Sequence, residues 1–473
     1  MKKVSSEERL KDEREQLRLP ARDKLSIIEA EAGPRTKEIL REALRYESYS
    51  NLYWEIFRFP LVVAETRGAT VTDIDGNEYL DCTSAFSSLN TGGCHPKVVE
   101  AIKSQVEHSI LYCEMPNETR IKLARKLCEL APIEGESKVQ WAVGGTHAVD
   151  GMVKAARYYT EKPTILAFLG GYHGGDLSLT TDAHRRSFAT SPMQSVYHLP
   201  YAYCYRCPFR AEYPSCDMQC TQYIEQLLSN TSYGLRDHRR DISHVAAILV
   251  EPIQGHAGFV IPPIEFLREL RRICDDYRLL LLDDEVQTGM GRSGRFWGIE
   301  HSGVKADMVT AGKSLAGGET YSAIIGKSEI MESWGPGAWT GTHVGNHLGA
   351  AASLANLKVI ESERLVDRAA QIGKYFLKGL KDLQEKHELI GDVSGRGLFL
   401  SVEFVKDRRT KEPAFEETPK VEHEAWKRKL LVSKGALGNR IQLAPPLIVE
   451  KDHVDRALEI LDDSIAQVEH RTQ

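Results

Sequence analysis

The sequence predicts an α/β fold, with a large domain built on a mostly parallel sheet covered by helices on both faces, and a smaller α+β domain after it. The main observation is a series of short, near-continuous apolar runs between residues 140 and 330, separated by helical stretches. Such runs are typical of parallel strands buried on both faces. The second observation is the size of the chain, because 473 residues with 42% apolar side chains can bury a large core. The runs are TILAF at 164, AAILV at 246, LLLLD at 279, MVTA at 308 and SAIIG at 322.

The first part of the chain is densely charged and is interpreted as an arm. Up to about residue 48, the spaced apolar positions predict solvated helices with one packing stripe. Further along, ATVTDIDGNEYLDC alternates apolar and polar residues around an Asp-Gly step, which predicts a β-hairpin. Residues 1–70 are therefore expected to form the arm and part of the small domain. The stripe comprises Ile39, Leu40, Leu44 and Tyr46.

The remaining chain divides into the two expected domains. Residues 71–345 contain the apolar runs and form the large domain in this interpretation. Residues 346–473 form the small domain. They contain one long helical pattern over 350–383, a strand pair in GRGLFLSVEFV and a final helix in HVDRALEILDDSIAQV.

Charge and hydropathy narrow the range of partners. The formal net charge of −6 gives no basic excess that would attract nucleic acid or an anionic membrane surface. The first residues, MKKVSSEERLKDEREQ, lack the apolar stretch of a signal peptide, and no eighteen consecutive apolar residues occur. We therefore expect a cytoplasmic protein with small-molecule or protein partners.

Nine cysteines in a long chain favour reduced thiols over a disulfide framework. Cys204, Cys207, Cys216 and Cys220 have C-x2-C-x8-C-x3-C spacing, which could place four thiolates around a tetrahedral metal. The alternative is four reduced cysteines in a Tyr/Pro-rich excursion. The intervals match no zinc module, so the second interpretation is preferred and no metal is assigned.

Charged residues close three of the predicted strands. AAILV ends in Glu251, LLLLD runs into Asp284, and MVTAG leads to Lys313. In an open parallel sheet, ligands bind beyond the carboxyl ends of the strands, so these side chains are expected at one edge. Any one of them alone is more often a solvated strand end. Together they indicate a site.

Two glycine-rich turns add to this edge. Gly145 and Thr146 precede a helical pattern, and the free N–H groups of a helix start suit a phosphate, although such a turn is often only an N-cap. Gly170-Gly171-Tyr172-His173 follows the strand TILAF, and Tyr172 could either stack on a flat cofactor or cap the core. A phosphate cradle, an aromatic ring, a carboxylate and a lysine are the parts that hold an aldehyde cofactor.

Six motifs carry a more specific resemblance. GGT followed by AV, GGYHG, EPIQG, LLDDEVQTGMGRSG, TAGKSLAGG and TGTHVGN occur in this order, and the similarity around them extends from DIDGNEYLD at residue 73 to QLAPPL at residue 442. This pattern resembles the class III pyridoxal 5′-phosphate (PLP)-dependent aminotransferases of fold type I. The resemblance implies a PLP enzyme, and it covers nearly the whole chain.

The resemblance also implies roles for individual residues. Lys313 matches the lysine that carries PLP as a Schiff base, and Asp284 matches the carboxylate that keeps the pyridine nitrogen protonated. Thr342 matches the threonine that binds the phosphate of the neighbouring subunit, which implies a homodimer, or a tetramer formed by two dimers. The other residues of the expected cofactor site are Gly145, Thr146, Tyr172, His173, Glu251, Val286 and Gln287.

Two departures from the family pattern bear on the substrate. The arginines that hold a substrate carboxylate in members acting on 4-aminobutyrate or ornithine fall here at Gly175 and Gln442, with Arg440 displaced by two residues. We therefore expect transfer of an amino group from an amine or ω-amino compound to a 2-oxo acid, with pyruvate favoured over 2-oxoglutarate. A racemase or epimerase, a decarboxylating enzyme and an aminomutase are alternatives on the same scaffold. A noncatalytic PLP- or metal-binding protein is a rival from another class.

Overall fold

The computed structural model describes residues 31–48, 60–174, 179–181, 195–230, 234–237 and 242–472. The largest sheet in these residues has seven strands, and it confirms the predicted α/β fold class. Six strands share one direction, whereas Ser322–Lys327 runs antiparallel to both its neighbours. The apolar run SAIIG was therefore correctly predicted as a strand but wrongly grouped with the parallel ones. The spatial order is Ser137–Ala142, Ser322–Lys327, Met308–Ala311, Leu280–Asp284, Val245–Val250, Thr164–Phe168 and Val196–Leu199.

The central strands are apolar because no part of them meets water. All residues of Thr164–Phe168, Val245–Val250 and Met308–Ala311 are buried. Helices border the sheet, and Gly145–Thr160 buries seven residues on its inner stripe. The described α-helices are Pro34–Tyr46, Ser84–Ser87, Pro96–Val106, Glu118–Leu130, Gly145–Thr160, Gln219–Ser229, Ile264–Tyr277, Ser328–Met331, His347–Ser362, Leu365–Lys386, Glu417–Lys427 and Lys451–Thr472. Short 3-10 helices are Cys204–Arg206, Gly298–Ser302 and Lys313–Ala316.

The predicted hairpin near residue 75 is confirmed. Thr70–Asp73 pairs antiparallel with Glu78–Asp81, and Gly76 turns the chain with φ of +87°. The side chain of Asp73 accepts hydrogen bonds from the backbone N–H groups of Asp75 and Asn77 at 3.0 and 2.8 Å. These bonds fix the turn. The hairpin belongs to a four-stranded sheet with Val63–Arg67 and Leu430–Leu431.

The C-terminal part contains a five-stranded sheet with long helices. Its strands are Ile390–Arg396, Phe399–Asp407, Arg440–Leu443, Ser433–Lys434 and Glu412–Pro413. The first two confirm the predicted strand pair, and Lys451–Thr472 confirms the final helix. The single long helix predicted over 350–383 is wrong in one respect, because the chain forms two helices that break at Arg364. Arg364 has φ of +51°, in the left-handed region that ends a right-handed helix.

The arm is described only from residue 31, so most of its predicted helices lie outside the described residues. Helix Pro34–Tyr46 buries Leu40, as the predicted stripe requires, but Tyr46 is 72% exposed and does not belong to that stripe. None of the helices in the described ranges is long and apolar enough to cross a bilayer. The domain boundaries at residues 70 and 345 stay a prediction.

Candidate active site

Lys313 lies directly beyond the carboxyl end of a central strand. Strand Met308–Ala311 is followed by Gly312, and Lys313 opens the 3-10 helix Lys313–Ala316. Its φ of +40° falls in the left-handed region, which residues with a Cβ rarely adopt. Backbone strain of this kind is retained where the direction of a side chain matters.

Asp284 closes the neighbouring strand and is 4% exposed. One carboxylate oxygen, Oδ2, is hydrogen-bonded to Nδ1 of His173 at 2.8 Å. The other oxygen, Oδ1, accepts hydrogen bonds from the N–H of Val286 and the hydroxyl of Thr310, each at 3.2 Å. Burial disfavours charge on His173, but the hydrogen bond and charge of Asp284 outweigh it and hold the pKa of His173 above its usual value. The pair therefore favours a protonated His173.

Glu251 follows the next strand and is buried. Its Oε1 accepts a hydrogen bond from the N–H of Tyr172 at 2.9 Å, and its Oε2 accepts one from the N–H of Gly255 at 2.8 Å. Burial raises the pKa of Glu251 to about 7. Burial also lowers the pKa of Lys313 to about 8, against the attraction of the Glu251 and Asp284 carboxylates. A carboxylate and an amine whose pKa values are shifted toward each other by burial thus lie at one edge of the sheet.

The start of helix Gly145–Thr160 forms a narrow cradle beside these residues. A Cβ at Gly145 would lie 2.7 Å from Cγ1 of Val286, and one at Gly174 would lie 2.6 Å from Oγ1 of Thr146. Only glycine fits at either position. The first peptide N–H groups of a helix have no partner inside it and carry the positive end of its dipole. This cradle is therefore suited to an anion such as phosphate.

The other predicted site residues lie at different distances from this centre. The backbone N–H of Tyr172 is hydrogen-bonded to the carboxylate of Glu251. The ring of Tyr172 contacts the ring of His256, with centroids 4.7 Å apart. Gln287 approaches the same turn, since a Cβ at Gly255 would meet its Oε1 at 2.2 Å. Thr342 is exposed in a turn before helix His347–Ser362. Gly175, the predicted place of a missing arginine, lies outside the described residues.

One residue of the site was missed by sequence reasoning. Thr310 donates a hydrogen bond to Asp284 from within the strand Met308–Ala311, and the only signal was a hydroxyl inside an apolar run. Asp283 is fully buried, and burial, followed by the charges of Glu285 and Asp284, raises its pKa well above the usual range. Because side chains alternate along a strand, Asp283 and Asp284 lie on opposite faces of the sheet.

The residues present fit PLP. The cradle at Gly145 and Thr146 offers N–H groups for its phosphate, Lys313 offers an amine for its aldehyde, and Asp284 offers a buried carboxylate for its ring nitrogen. Bound there, PLP supplies an electron sink for breaking a bond at a substrate carbon. This fold and this set of side chains define a PLP-dependent enzyme of fold type I.

Comparison with known proteins identifies the family. Residues 55–465 match the family model described as aminotransferase class-III, and the chain belongs to this family of PLP-dependent enzymes. It is 40% identical to a leucine/methionine racemase of Thermococcus litoralis over 89% of this chain and 95% of that protein. It is 37% identical to an alanine/serine racemase of Pyrococcus horikoshii over 93% and 92% of the two chains. Among solved structures, an amine transaminase from an uncultivated Pseudomonas species in the PLP-bound form matches with a TM-score of 0.80, at 27% identity over 86% of this chain and 95% of that one.

Proposed function

We propose that the protein racemises or epimerises neutral α-amino acids, with amino transfer to pyruvate as a second candidate. The observation that carries the proposal is that the amine of Lys313 and the carboxylate of Glu251 are buried in one site, close enough for the charge of Glu251 to act on the pKa of Lys313. Two-base racemisation uses one group that removes the proton from Cα and another that returns a proton to the opposite face. Transamination needs only the lysine. The similarity to two amino-acid racemases supports the same choice.

The positions of Lys313 and Glu251 support one role for each, in which one group removes the Cα proton and the other returns a proton to the opposite face. The backbone before Lys313 borders Val286, because a Cβ at Gly312 would lie 3.3 Å from Cγ1 of that valine. Glu251 is bonded instead to the backbone of Tyr172. The family resemblance implies that the side chains of Val286 and Tyr172 contact opposite faces of the cofactor ring. Lys313 and Glu251 would therefore approach the substrate Cα from different sides, with Lys313 taking the proton on one side and Glu251 donating one on the other.

A neutral substrate is proposed because the displaced arginine is already bonded elsewhere. Arg440 is 1% exposed, and its guanidinium donates hydrogen bonds to the hydroxyls of Ser401 and Ser394 at 2.9 and 3.1 Å. It also forms an ion pair with Glu403 at 3.4 Å. At the position where the family arginine is expected, Gln442 donates from Nε2 to the carbonyl of Gly255 at 2.6 Å. A distal substrate carboxylate would thus lack a bidentate cation at this position.

Incubation of the holoenzyme with L-leucine, L-methionine or L-alanine in D₂O, without any 2-oxo acid, tests the reaction. We expect the D-enantiomer to accumulate with deuterium at Cα, measured by chiral chromatography and mass spectrometry. Glu251→Gln should slow formation of the D-enantiomer by about 10²-fold, as loss of a general acid does. If amino acids are consumed only when pyruvate is added, and no D-enantiomer forms, the proposal fails and amino transfer replaces it.

Changing Gln442 to arginine should install a carboxylate-binding group. We expect Gln442→Arg to raise kcat/KM for glutamate or 2-oxoglutarate relative to alanine or pyruvate by roughly 10- to 100-fold, the effect of a charged hydrogen bond. Gln442→Met is the matched control, because it loses the bond to Gly255 without adding charge. Steady-state kinetics with both substrate pairs measures the ratio. An equal change of the kcat/KM ratio in both variants would mean that the gain comes from losing the hydrogen bond to Gly255 and not from the added charge.

We also propose that the enzyme is a cytoplasmic homodimer. Thr342 is exposed in this chain, as expected of a residue that binds the phosphate in the neighbouring subunit. Exposed apolar side chains on the same molecule, including Ile110, Tyr112 and Met115, offer surface for such an interface.

A further inference from the structure

The exposed segment that carries Thr342 is short and is anchored on both sides. It lies directly before helix His347–Ser362. Residues 340–343, which include Thr342, are mostly exposed, whereas Val344 after them is 4% exposed. We call residues 340–343 the Thr342 arm and Trp339, which is only partly exposed, its base. Because three residues of extended chain span at most about 11 Å, the position of Trp339 limits where Thr342 can reach.

The base of the arm packs against helix Gly145–Thr160, whose first turn forms the phosphate cradle. The ring of His147 stacks on the ring of Trp339, with centroids 4.4 Å apart and planes at 24°. Nζ of Lys154 lies 5.3 Å from the centroid of the same indole, and it donates a hydrogen bond to the carbonyl of Ala338 at 2.7 Å. An aromatic stack and a cation near the ring thus hold Trp339 from two turns of one helix.

A glycine in this helix allows the close approach. His147, Gly151 and Lys154 are separated by four and three residues, so they lie on one face of the helix. A Cβ at Gly151 would lie 2.7 Å from both Nε1 of Trp339 and Cδ1 of Ile324. Glycine inside a helix is unfavourable relative to alanine. Its presence here is explained by the indole on one side and the sheet on the other.

The indole is held by its ring and its backbone, not by its nitrogen. Nε1 of Trp339 is buried and has no hydrogen-bond partner among the described residues. The carbonyl of Trp339 accepts a hydrogen bond from Nε2 of Gln140 at 3.1 Å. Nδ1 of His147 accepts one from the N–H of Val143 at 3.2 Å, and burial lowers the pKa of His147. The stack therefore joins two neutral rings, and a phenyl ring can take the place of the indole.

We propose that His147 and Lys154 position the Thr342 arm for the active site of the neighbouring subunit, by holding Trp339 at its base. The inference rests on the proposed homodimer and on the proposed role of Thr342 in it. One helix then serves both sites of the dimer. Its first turn offers N–H groups to the phosphate of its own subunit, and its outer face holds the arm that reaches the other. His147 and Lys154 act through Thr342 and are positioning residues.

Cofactor binding by mixed dimers tests the proposal, because a mixed dimer can carry a change in only one subunit. Two differently tagged subunits are produced together, and the mixed dimer is purified by both tags. One subunit also carries Lys313→Ala, so that only the other subunit can bind PLP to a lysine. The visible absorbance of lysine-bound PLP then reports on that site alone, and titration of the cofactor-depleted dimer gives its Kd.

Trp339→Ala should weaken PLP binding only at the site of the opposite subunit. Placed together with Lys313→Ala, it should raise the Kd of the other subunit's site about tenfold, the effect of losing a hydrogen bond to a charged group. Placed in the subunit that retains Lys313, it should leave the Kd of that site within about twofold of wild type.

Lys154→Met is a second variant that leaves the ring of Trp339 in place. It removes the bond to Ala338 and the charge near the indole, and it should show the same pattern with about a fivefold change. Lys358→Met removes an exposed lysine from helix His347–Ser362. As the matched control, it should change the Kd by no more than about twofold in either placement.

Pyridoxal, which lacks the phosphate, separates positioning of the arm from a general loss of structure. In the dimers whose PLP binding is weakened, the Kd for pyridoxal should stay within about twofold of wild type, since the arm acts on the phosphate. Trp339→Phe keeps a ring on which His147 can stack, and it should restore the affinity for PLP. Equal weakening of PLP and pyridoxal would overturn the proposal.

Thr342→Ala in the same two placements is the reference. If it weakens PLP binding across the subunits while Trp339→Ala and Lys154→Met do not, the inference is overturned and the homodimer stands. If Trp339→Ala acts on the site of its own subunit, or equally on both sites, the inference is overturned as well. If Thr342→Ala has no effect in either placement, the proposed role of Thr342 fails, and the inference fails with it.

Discussion

Lys313→Ala should reduce turnover of the best amino-acid substrate by at least about 10⁴-fold, because it removes both the amine that holds the cofactor and the base that acts at Cα. The cradle at Gly145 and the carboxylate of Asp284 remain in this variant, so we expect PLP to bind without a covalent bond. Steady-state kinetics measures the first effect, and equilibrium dialysis of PLP measures the second.

Lys358→Ala is the matched control for this change. Lys358 is exposed on helix His347–Ser362, and surface substitutions of this kind leave stability within about 0.5 kcal/mol. Its turnover should stay within about twofold of wild type. Normal turnover by Lys313→Ala would remove the assignment of this residue. Loss of PLP binding together with loss of folding would instead show that Lys313 is needed for the structure of the turn at Gly312.

Asp284→Asn is the second change with a large expected effect. The amide can still accept hydrogen bonds from Val286 and Thr310, but it carries no charge to stabilise a protonated ring nitrogen. We expect kcat to fall by about 10²- to 10³-fold, the range found when one electrostatic group of an active site is removed. His173 should also lose the partner that raises its pKa. Kinetics, with cofactor absorbance as the measure of binding, gives the result.

Asp283→Asn provides a control at the neighbouring residue of the same strand. Burial raises the pKa of Asp283 well above its usual range, so the site favours a neutral group, and an amide has nearly the same size as the carboxyl group. Asp283 also lies on the opposite face of the sheet from Asp284. We expect its kcat to stay within about threefold of wild type. Equal losses in the two variants would mean that Asp284 acts through the stability of the strand end.

The spacing of apolar residues predicted most of the helices and strands, because it indicates which residues are buried. It does not indicate the direction in which a strand runs. The run SAIIG is buried like its neighbours, so the sequence identified a strand at Ser322–Lys327. Its antiparallel direction follows from the connection that contains the 3-10 helix Lys313–Ala316. After this connection the chain turns back and pairs with strand Met308–Ala311, which it has just left. The break at Arg364 was missed for a related reason, since apolar spacing continues through a single left-handed residue.

At the candidate active site, sequence motifs likewise located the residues but did not show which side chains lie close together. Short motifs located Lys313, Asp284, Glu251 and the turn at Gly145, because each follows a strand or opens a helix. The arrangement of the cysteines was also visible as a spacing. Their convergence on one cavity was not, because it depends on how two short turns fold together.

The sequence by itself determined the strand ends, the helix start and the residue types that suit PLP. The tertiary structure decided which of these side chains meet. His173 and Asp284 are 111 residues apart, Tyr172 and Glu251 are 79 apart, and Gln442 and Gly255 are 187 apart. Periodicity and turn chemistry act over a few residues, whereas the pKa values of Glu251 and Lys313 depend on burial and on charges that only the folded chain brings together.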